Sequence, residues 1–251
     1  MRLIRPTQPE STRMPLVLWV HGGGLVSGSP VQDDLTSHTF ARELHATVAA
    51  VRYRLAPEHP GPAAVEDAYA ALHGLHERAD ELGLDTTRIA VAGASAGGGI
   101  AAALAQMAHD RGEVPIAFQL LVYPMLDDRT VIRRDHDTRG VRVWTPRSNR
   151  FGWTSYLGGP PGADHVPDYV VPARREDLTG LPPAWIGVGD LDLFHEEDLA
   201  YAERLRAAGV ACQVHVVPGA FHGFDALFRR KPVSQAFLAA QVDALREAFT
   251  G

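Results

Sequence analysis

Arg88-Ile89-Ala90-Val91-Ala92-Gly93-Ala94-Ser95-Ala96-Gly97 is a short apolar run that ends in a small-x-Ser-x-small turn and continues as a helix-like stretch through Asp110. This is the pattern of a nucleophile elbow: a serine is held in a strained backbone conformation between strand and helix, and the glycines two positions to either side let the two elements cross closely. Upstream, the apolar residues 16–20 run into His21-Gly22-Gly23-Gly24. Consecutive backbone N–H groups with no side chains in the way suit an oxyanion hole. Together the two stretches imply acyl-transfer chemistry at a serine.

The pattern around them alternates. Candidate strands at 16–20, 47–52, 88–92, 117–123, 184–188 and 213–217 are near-continuous apolar runs, as strands covered on both faces should be. Helical periodicity lies at 34–44, 62–82, 96–110, 196–208 and 233–249, and Asp85-Thr86-Thr87-Arg88 reads as a turn into the serine strand. This order predicts an α/β fold with a mostly parallel sheet and helices on both faces, in a single domain over 1–251. Residues 127–180 interrupt it, rich in Pro, Gly and Arg and carrying Trp144, Phe151, Trp153, Tyr156 and Tyr169. A connection of that length is either a lid or cap inserted in the domain or a surface excursion that packs its aromatics on the core.

Composition excludes more than it proposes. The chain has 251 residues, 45% of them hydrophobic and 22% charged, and a formal net charge of -6, which gives no reason to expect nucleic acid or an anionic membrane as partner. The only lysine, Lys231, sits in Arg229-Arg230-Lys231-Pro232, so neither a phosphate-binding loop nor a Schiff-base cofactor is expected. Cys212 is the single cysteine, placed in an apolar run, and rules out an internal disulfide. The start lacks a long apolar segment, so no signal peptide and a cytoplasmic location are expected, with no membrane span. His195-Glu196-Glu197 has no second histidine at helical spacing and is not a zinc motif. No cofactor and no metal are expected, and a homodimer is left open.

A serine needs a base, and the base an orienting carboxylate, in the chain order Ser, Asp or Glu, His. Of the 12 histidines, His222 lies in a glycine-flanked loop after the last candidate strand, whereas His215 lies within that strand and His73, His76 and His109 in helical runs. His222 is therefore the candidate base. For the acid, Asp190, Asp192, Glu196, Glu197 and Asp198 crowd together after strand 184–188. Asp192 is preferred because it sits a few residues beyond the strand, where the turn points inward, and Asp190 is the alternative.

Beside these motifs stand Tyr53-Arg54-Leu55-Ala56-Pro57-Glu58, Tyr123-Pro124, Tyr201-Ala202 and His222-Gly223-Phe224. In this order the set resembles the hormone-sensitive-lipase-like carboxylesterases, bacterial esterase family IV of the α/β-hydrolase superfamily, over essentially the whole chain. The resemblance implies Ser95 as nucleophile, Asp192 as acid, His222 as base, and the N–H groups of Gly23, Gly24 and Ala96 as oxyanion hole, with His21 shaping the glycine turn. It implies hydrolysis of short-chain acyl esters, a small-molecule substrate. An amidase or deacetylase on the same triad is the alternative, and a non-catalytic ligand-binding member of the fold is the rival from another class. Two departures stand out. Ala94 replaces the aspartate common before the serine, and only residues 1–15 precede the strand at 16–20, where the family carries part of its cap and its first two strands. Shortened or absent first strands, with residues 2–5 as a remnant, and an open pocket are the expectation.

Overall fold

Among the described residues, seven strands form one sheet in the spatial order β1-β3-β2-β4-β5-β6-β7. The computed structural model describes residues 1–7, 13–133 and 138–250. The strands are β1 (Arg2–Ile4), β2 (Met14–Val20), β3 (Thr47–Val51), β4 (Leu84–Ala94), β5 (Phe118–Val122), β6 (Ala184–Gly189) and β7 (Cys212–Val217). All neighbours pair in parallel except β1, which lies antiparallel on β3. The remnant strand expected from residues 2–5 is thus a real edge strand.

Among the described residues there are eight α-helices: α1 (Asp34–Leu44), α2 (Ala63–Glu77), α3 (Ala79–Leu82), α4 (Ala96–Arg111), α5 (Pro146–Leu157), α6 (His195–Ala207), α7 (Phe224–Leu227) and α8 (Pro232–Thr250). The period-2 alternation of a strand sorts its side chains between the two faces. On β2, Leu16, Leu18 and Val20 enter the core shared with α2 and α4, while Val17 and Trp19 enter the core shared with α1 and α8. With both faces covered, every residue of β2 is buried.

Three departures from the sequence reading have local causes. The helix expected over 62–82 breaks at Arg78 into α2 and α3. Asp85-Thr86-Thr87-Arg88 is not a turn before the strand but a bulge inside β4: Met14 pairs with Leu84 and Leu16 with Ile89, so the residues between them loop out. The Asp85 carboxylate closes that loop, taking bonds from the Thr87 N–H at 3.0 Å and the Arg88 Nε at 2.7 Å. Within 127–180, α5 appears where no helix was read. Thr145 caps its first turn by accepting from the Ser148 N–H at 3.2 Å, and Pro146 occupies the first helical position. Residues 134–137 of that stretch lie outside the described residues. Trp153 and Tyr156 from α5 and Val170 and Val171 beyond it join the core beside α2 and α4.

Candidate active site

The carboxyl ends of β2, β4, β6 and β7 meet at one rim of the sheet, where ligand sites of open α/β folds lie. Ser95 stands at the end of β4 with φ 58° and ψ -123°, a conformation that costs on the order of 1–3 kcal/mol for a side-chain-bearing residue and persists only when its surroundings fix it. They do. The Ser95 N–H donates to the Val122 carbonyl at 2.8 Å, and the Ser95 carbonyl accepts from Gly99 at 3.1 Å and Met125 at 3.0 Å. Gly97 is required by close approach: a Cβ there would stand 2.1 Å from the Val20 carbonyl oxygen. One on Gly93 would stand 2.4 Å from the Gly97 carbonyl oxygen.

β7 ends in a turn that presents His222, and β6 ends in the turn 190–192. His222 Nε2 lies 2.9 Å from Ser95 Oγ, and His222 Nδ1 lies 2.8 Å from Asp192 Oδ2. The second Asp192 oxygen accepts from the Phe194 N–H at 3.0 Å. All three side chains are buried. The other carboxylates of the crowded 190–198 stretch go elsewhere. Asp190 is exposed and takes the Gly219 N–H at 2.7 Å, tying the two turns together on the outside. Glu196 is exposed beside His195. Glu197 is buried and accepts from the Leu126 N–H at 2.7 Å, the Asp127 N–H at 3.1 Å and the Thr130 hydroxyl, pegging the root of the 127–180 stretch to α6. Burial pushes its pKa up to about 8. Burial, with Glu197 and Asp192 nearby, pushes the Asp198 pKa well up too.

The glycine loop is held from behind. His21 is buried with Nδ1 2.7 Å from the Gly22 carbonyl, its ring stacked 4.3 Å from that of Tyr53, whose hydroxyl donates to the His21 carbonyl at 2.9 Å. Burial lowers the His21 pKa, so the ring is held neutral as a brace for the loop. Among the described residues, the N–H groups of Gly23, Gly24 and Ala96 have no protein acceptor. Ala96 is the first residue of α4, so its N–H points out of the helix start. Gly24, at φ 61°, has no room for a side chain because a Cβ would lie 2.0 Å from Cη2 of Trp144. That indole reaches over from the 127–180 stretch, its ring 6.4 Å from that of His222.

Sequence reasoning missed two residues. Tyr123, at φ 35°, directs its ring edge-on to His222 at 4.8 Å, and its hydroxyl donates to Asp225 Oδ1 at 2.8 Å. Tyr123-Pro124 was visible as a motif, but nothing in the pattern paired it with a carboxylate three residues past the histidine. Ala94 opens on the same pocket, walled by Trp19, Asp33, Tyr123, Asp225 and Arg229. Where the family has an aspartate before the serine, this chain has a methyl group facing two carboxylates from other elements.

A serine on an elbow at the rim of a mostly parallel, doubly covered sheet defines the class: an α/β-hydrolase. A family model described as an alpha/beta hydrolase fold matches residues 17–226. Esterase LipI of Mycobacterium tuberculosis is 42% identical over 224 residues, covering 87% of this chain and 68% of LipI. Ethyl acetate hydrolase of Pseudomonas putida is 34% identical over 226 residues, covering 89% of this chain and 70% of that protein. Among solved structures, a bacterial heroin esterase aligns with a TM-score of 0.93 at 41% identity, covering 100% of this chain and 79% of that one. The chain belongs to the hormone-sensitive-lipase-like, family IV carboxylesterases of the α/β-hydrolase superfamily. It spans about two thirds of the length of the curated relatives it matches. Among the described residues, no helix is long and apolar enough to cross a membrane.

Proposed function

We propose that this protein hydrolyses short-chain carboxylic esters through an acyl-enzyme on Ser95, with His222 as base and Asp192 as its orienting acid. One observation carries the reading: the unbroken hydrogen-bond chain from Asp192 Oδ2 through His222 to Ser95 Oγ, with links of 2.8 and 2.9 Å, ending on a strained elbow. Asp192 fixes the tautomer that keeps the proton on Nδ1 and leaves Nε2 free to accept. Nε2 takes the hydroxyl proton as Ser95 Oγ attacks the ester carbonyl carbon. The N–H groups of Gly23, Gly24 and Ala96 hold the oxyanion, aided by the positive end of α4. Collapse breaks the bond to the alkoxy oxygen, which leaves as the alcohol with the proton from Nε2. Water then gives a proton to Nε2 and attacks the acyl carbon, and the second collapse frees the acid and returns the proton to Ser95.

Substrate size follows from the walls. Beside Ala96 lies a narrow apolar crevice of about 10 Å³, walled by Leu25, Ile100, Met125, Trp153 and Tyr156. Residues 127–180 act as a cap in this proposal, since Trp144 closes over Gly24 and Trp153 and Tyr156 wall the crevice. A crevice this tight between the cap aromatics offers no tunnel for a long chain, so the acyl groups proposed run from acetyl to about hexanoyl. The substrate is a small-molecule ester, and the lone free cysteine is compatible with a reducing, cytoplasmic setting.

The test is a series of nitrophenyl esters of increasing acyl length, with the burst of nitrophenol measured in each. A burst equal to the enzyme concentration on short esters, absent in Ser95→Ala, is the expected result. Efficiency that climbs all the way to palmitate would overturn the short-chain reading.

A further inference from the structure

The acid of the proposed triad is not the only carboxylate tied to the base. The His222 ring sits between two aromatic edges: Phe194 at 5.2 Å and 89°, and Tyr123 at 4.8 Å and 64°. Phe194 belongs to the Asp192 turn and is fixed by its own N–H to Asp192. Tyr123 is fixed at both ends. Its N–H donates to the Gly187 carbonyl on β6 at 2.6 Å, and its phenol donates to Asp225 on α7 at 2.8 Å. Since α7 begins two residues after His222, the links form a closed loop: His222, along the chain to Asp225, across to the Tyr123 hydroxyl, and through the Tyr123 ring back to the imidazole. Tyr123 is buried, and its φ of 35° is one that side-chain-bearing residues rarely adopt.

We infer that Tyr123 and Asp225 are a positioning pair for the base, fixing the His222 loop and supplying a second negative charge beside the imidazolium that forms in turnover. This rests on the reading of His222 as base. Neither residue touches substrate in it; both act through His222. The charged and titratable groups facing Asp225 are the Tyr123 hydroxyl, Asp33 from the turn before α1, Arg229 beyond α7, and His222 itself. Those facing His222 are Asp192, Ser95, Tyr123 and Asp225. Burial raises the pKa of Asp225 overall, and the Tyr123 hydrogen bond, the first N–H groups of α7 and His222 counter it in part. The missing aspartate at Ala94 fits this arrangement, because a carboxylate there would make a third acid in the pocket of Asp33 and Asp225.

The test uses Tyr123→Phe and Asp225→Asn with nitrophenyl acetate as substrate. Tyr123→Phe keeps the ring and removes the latch. Its kcat should fall by about ten- to a hundredfold with KM nearly unchanged, the cost of a misaimed base. Asp225→Asn should lower kcat similarly and also move the acid limb of the kcat/KM profile to lower pH, because the imidazolium loses a neighbouring negative charge. The double variant should cost no more than the worse single variant, as expected for one unit. Asp225→Glu should restore the limb in part. Wild-type kcat in Tyr123→Phe, an unmoved acid limb in Asp225→Asn, or a lowered melting temperature with unchanged turnover would each overturn the pair. If Asp225→Asn does not fold, Tyr123→Phe decides alone. Full activity in His222→Ala would instead remove the base reading on which the inference stands.

Discussion

The strand-end rim and the 127–180 stretch form two walls of one site, yet they are built on different principles. At the rim, short motifs shape the backbone: Gly93 and Gly97 allow the crossing that strains Ser95, and the Asp192 turn fixes Phe194, although Ser95, Asp192 and His222 themselves meet across 127 and 30 positions. The 127–180 stretch is held by distant partners instead. Glu197 on α6 pegs its root, Trp153 and Tyr156 anchor it in the core, and Arg174 pairs with the buried Asp128 at 2.8 Å within it. In the proposed function the first wall carries the chemistry and the second limits the size of the substrate, so the second can change without disturbing the elbow.

The largest test of that division is at the rim. Ser95→Ala and His222→Ala should each cost on the order of a millionfold in turnover, because triad members act as a unit. Asp192→Asn should cost about ten-thousandfold by presenting the wrong tautomer, while Asp190→Asn, whose carboxylate only ties down Gly219, should leave turnover unchanged. Steady-state rates with a nitrophenyl ester decide all four, and a crippled Asp190→Asn would move the acid. Gly97→Ala should be nearly as damaging by another route. Its Cβ would stand 2.1 Å from backbone, so the elbow must shift, and a loss of about 4 kcal/mol or more in stability is expected in denaturant unfolding. A Gly97→Ala protein of normal stability and rate would mean that the crossing is looser than drawn.

In the remote wall, one helix holds its own control. Trp153 is 1% exposed and Phe151, two residues earlier, is 60% exposed. Trp153→Ala should cost about 3–5 kcal/mol, as truncation of a buried aromatic does, and Phe151→Ala less than about 0.5 kcal/mol. Equal losses from the two in urea melts would show that α5 is not anchored through Trp153.

What was legible in the sequence follows the same line. The elbow, the glycine loop and the acid-then-histidine order could be read because each is a short pattern with one physical use, and the central strands because double burial leaves continuous apolar runs. α5 escaped because its exposed Phe151 and internal Gly152 blur the apolar stripe, although Thr145-Pro146 was a usable start signal. The bulge at 85–88 escaped because an Asp-Thr-Thr-Arg run reads as a turn unless the register of the partner strand is known. Tyr123 and Asp225 are 102 positions apart, and no local pattern reports a contact of that range.

The smallest effect tests the peg between the two regions. Burial raises the pKa of the Glu197 carboxyl from its ordinary 4.5 to about 8. A raised acid binds its proton in the folded protein at pH values where the unfolded chain has released it. Its contribution is therefore fully present below about 4.5 and is lost as pH rises through about 8. In that window wild-type stability should fall with pH by at most about 1.4 kcal/mol per unit from this group. Glu197→Gln keeps an oxygen for the Leu126 and Asp127 N–H groups and offers an amide to Thr130, but carries no charge to bury. Its stability should be flatter across the same window, with the two proteins diverging most on the alkaline side. Denaturant midpoints measured at a series of pH values provide the comparison. Parallel curves for the two proteins would mean that Glu197 is ionised in the fold and that the root of the 127–180 stretch is held by a charged peg instead of a neutral one.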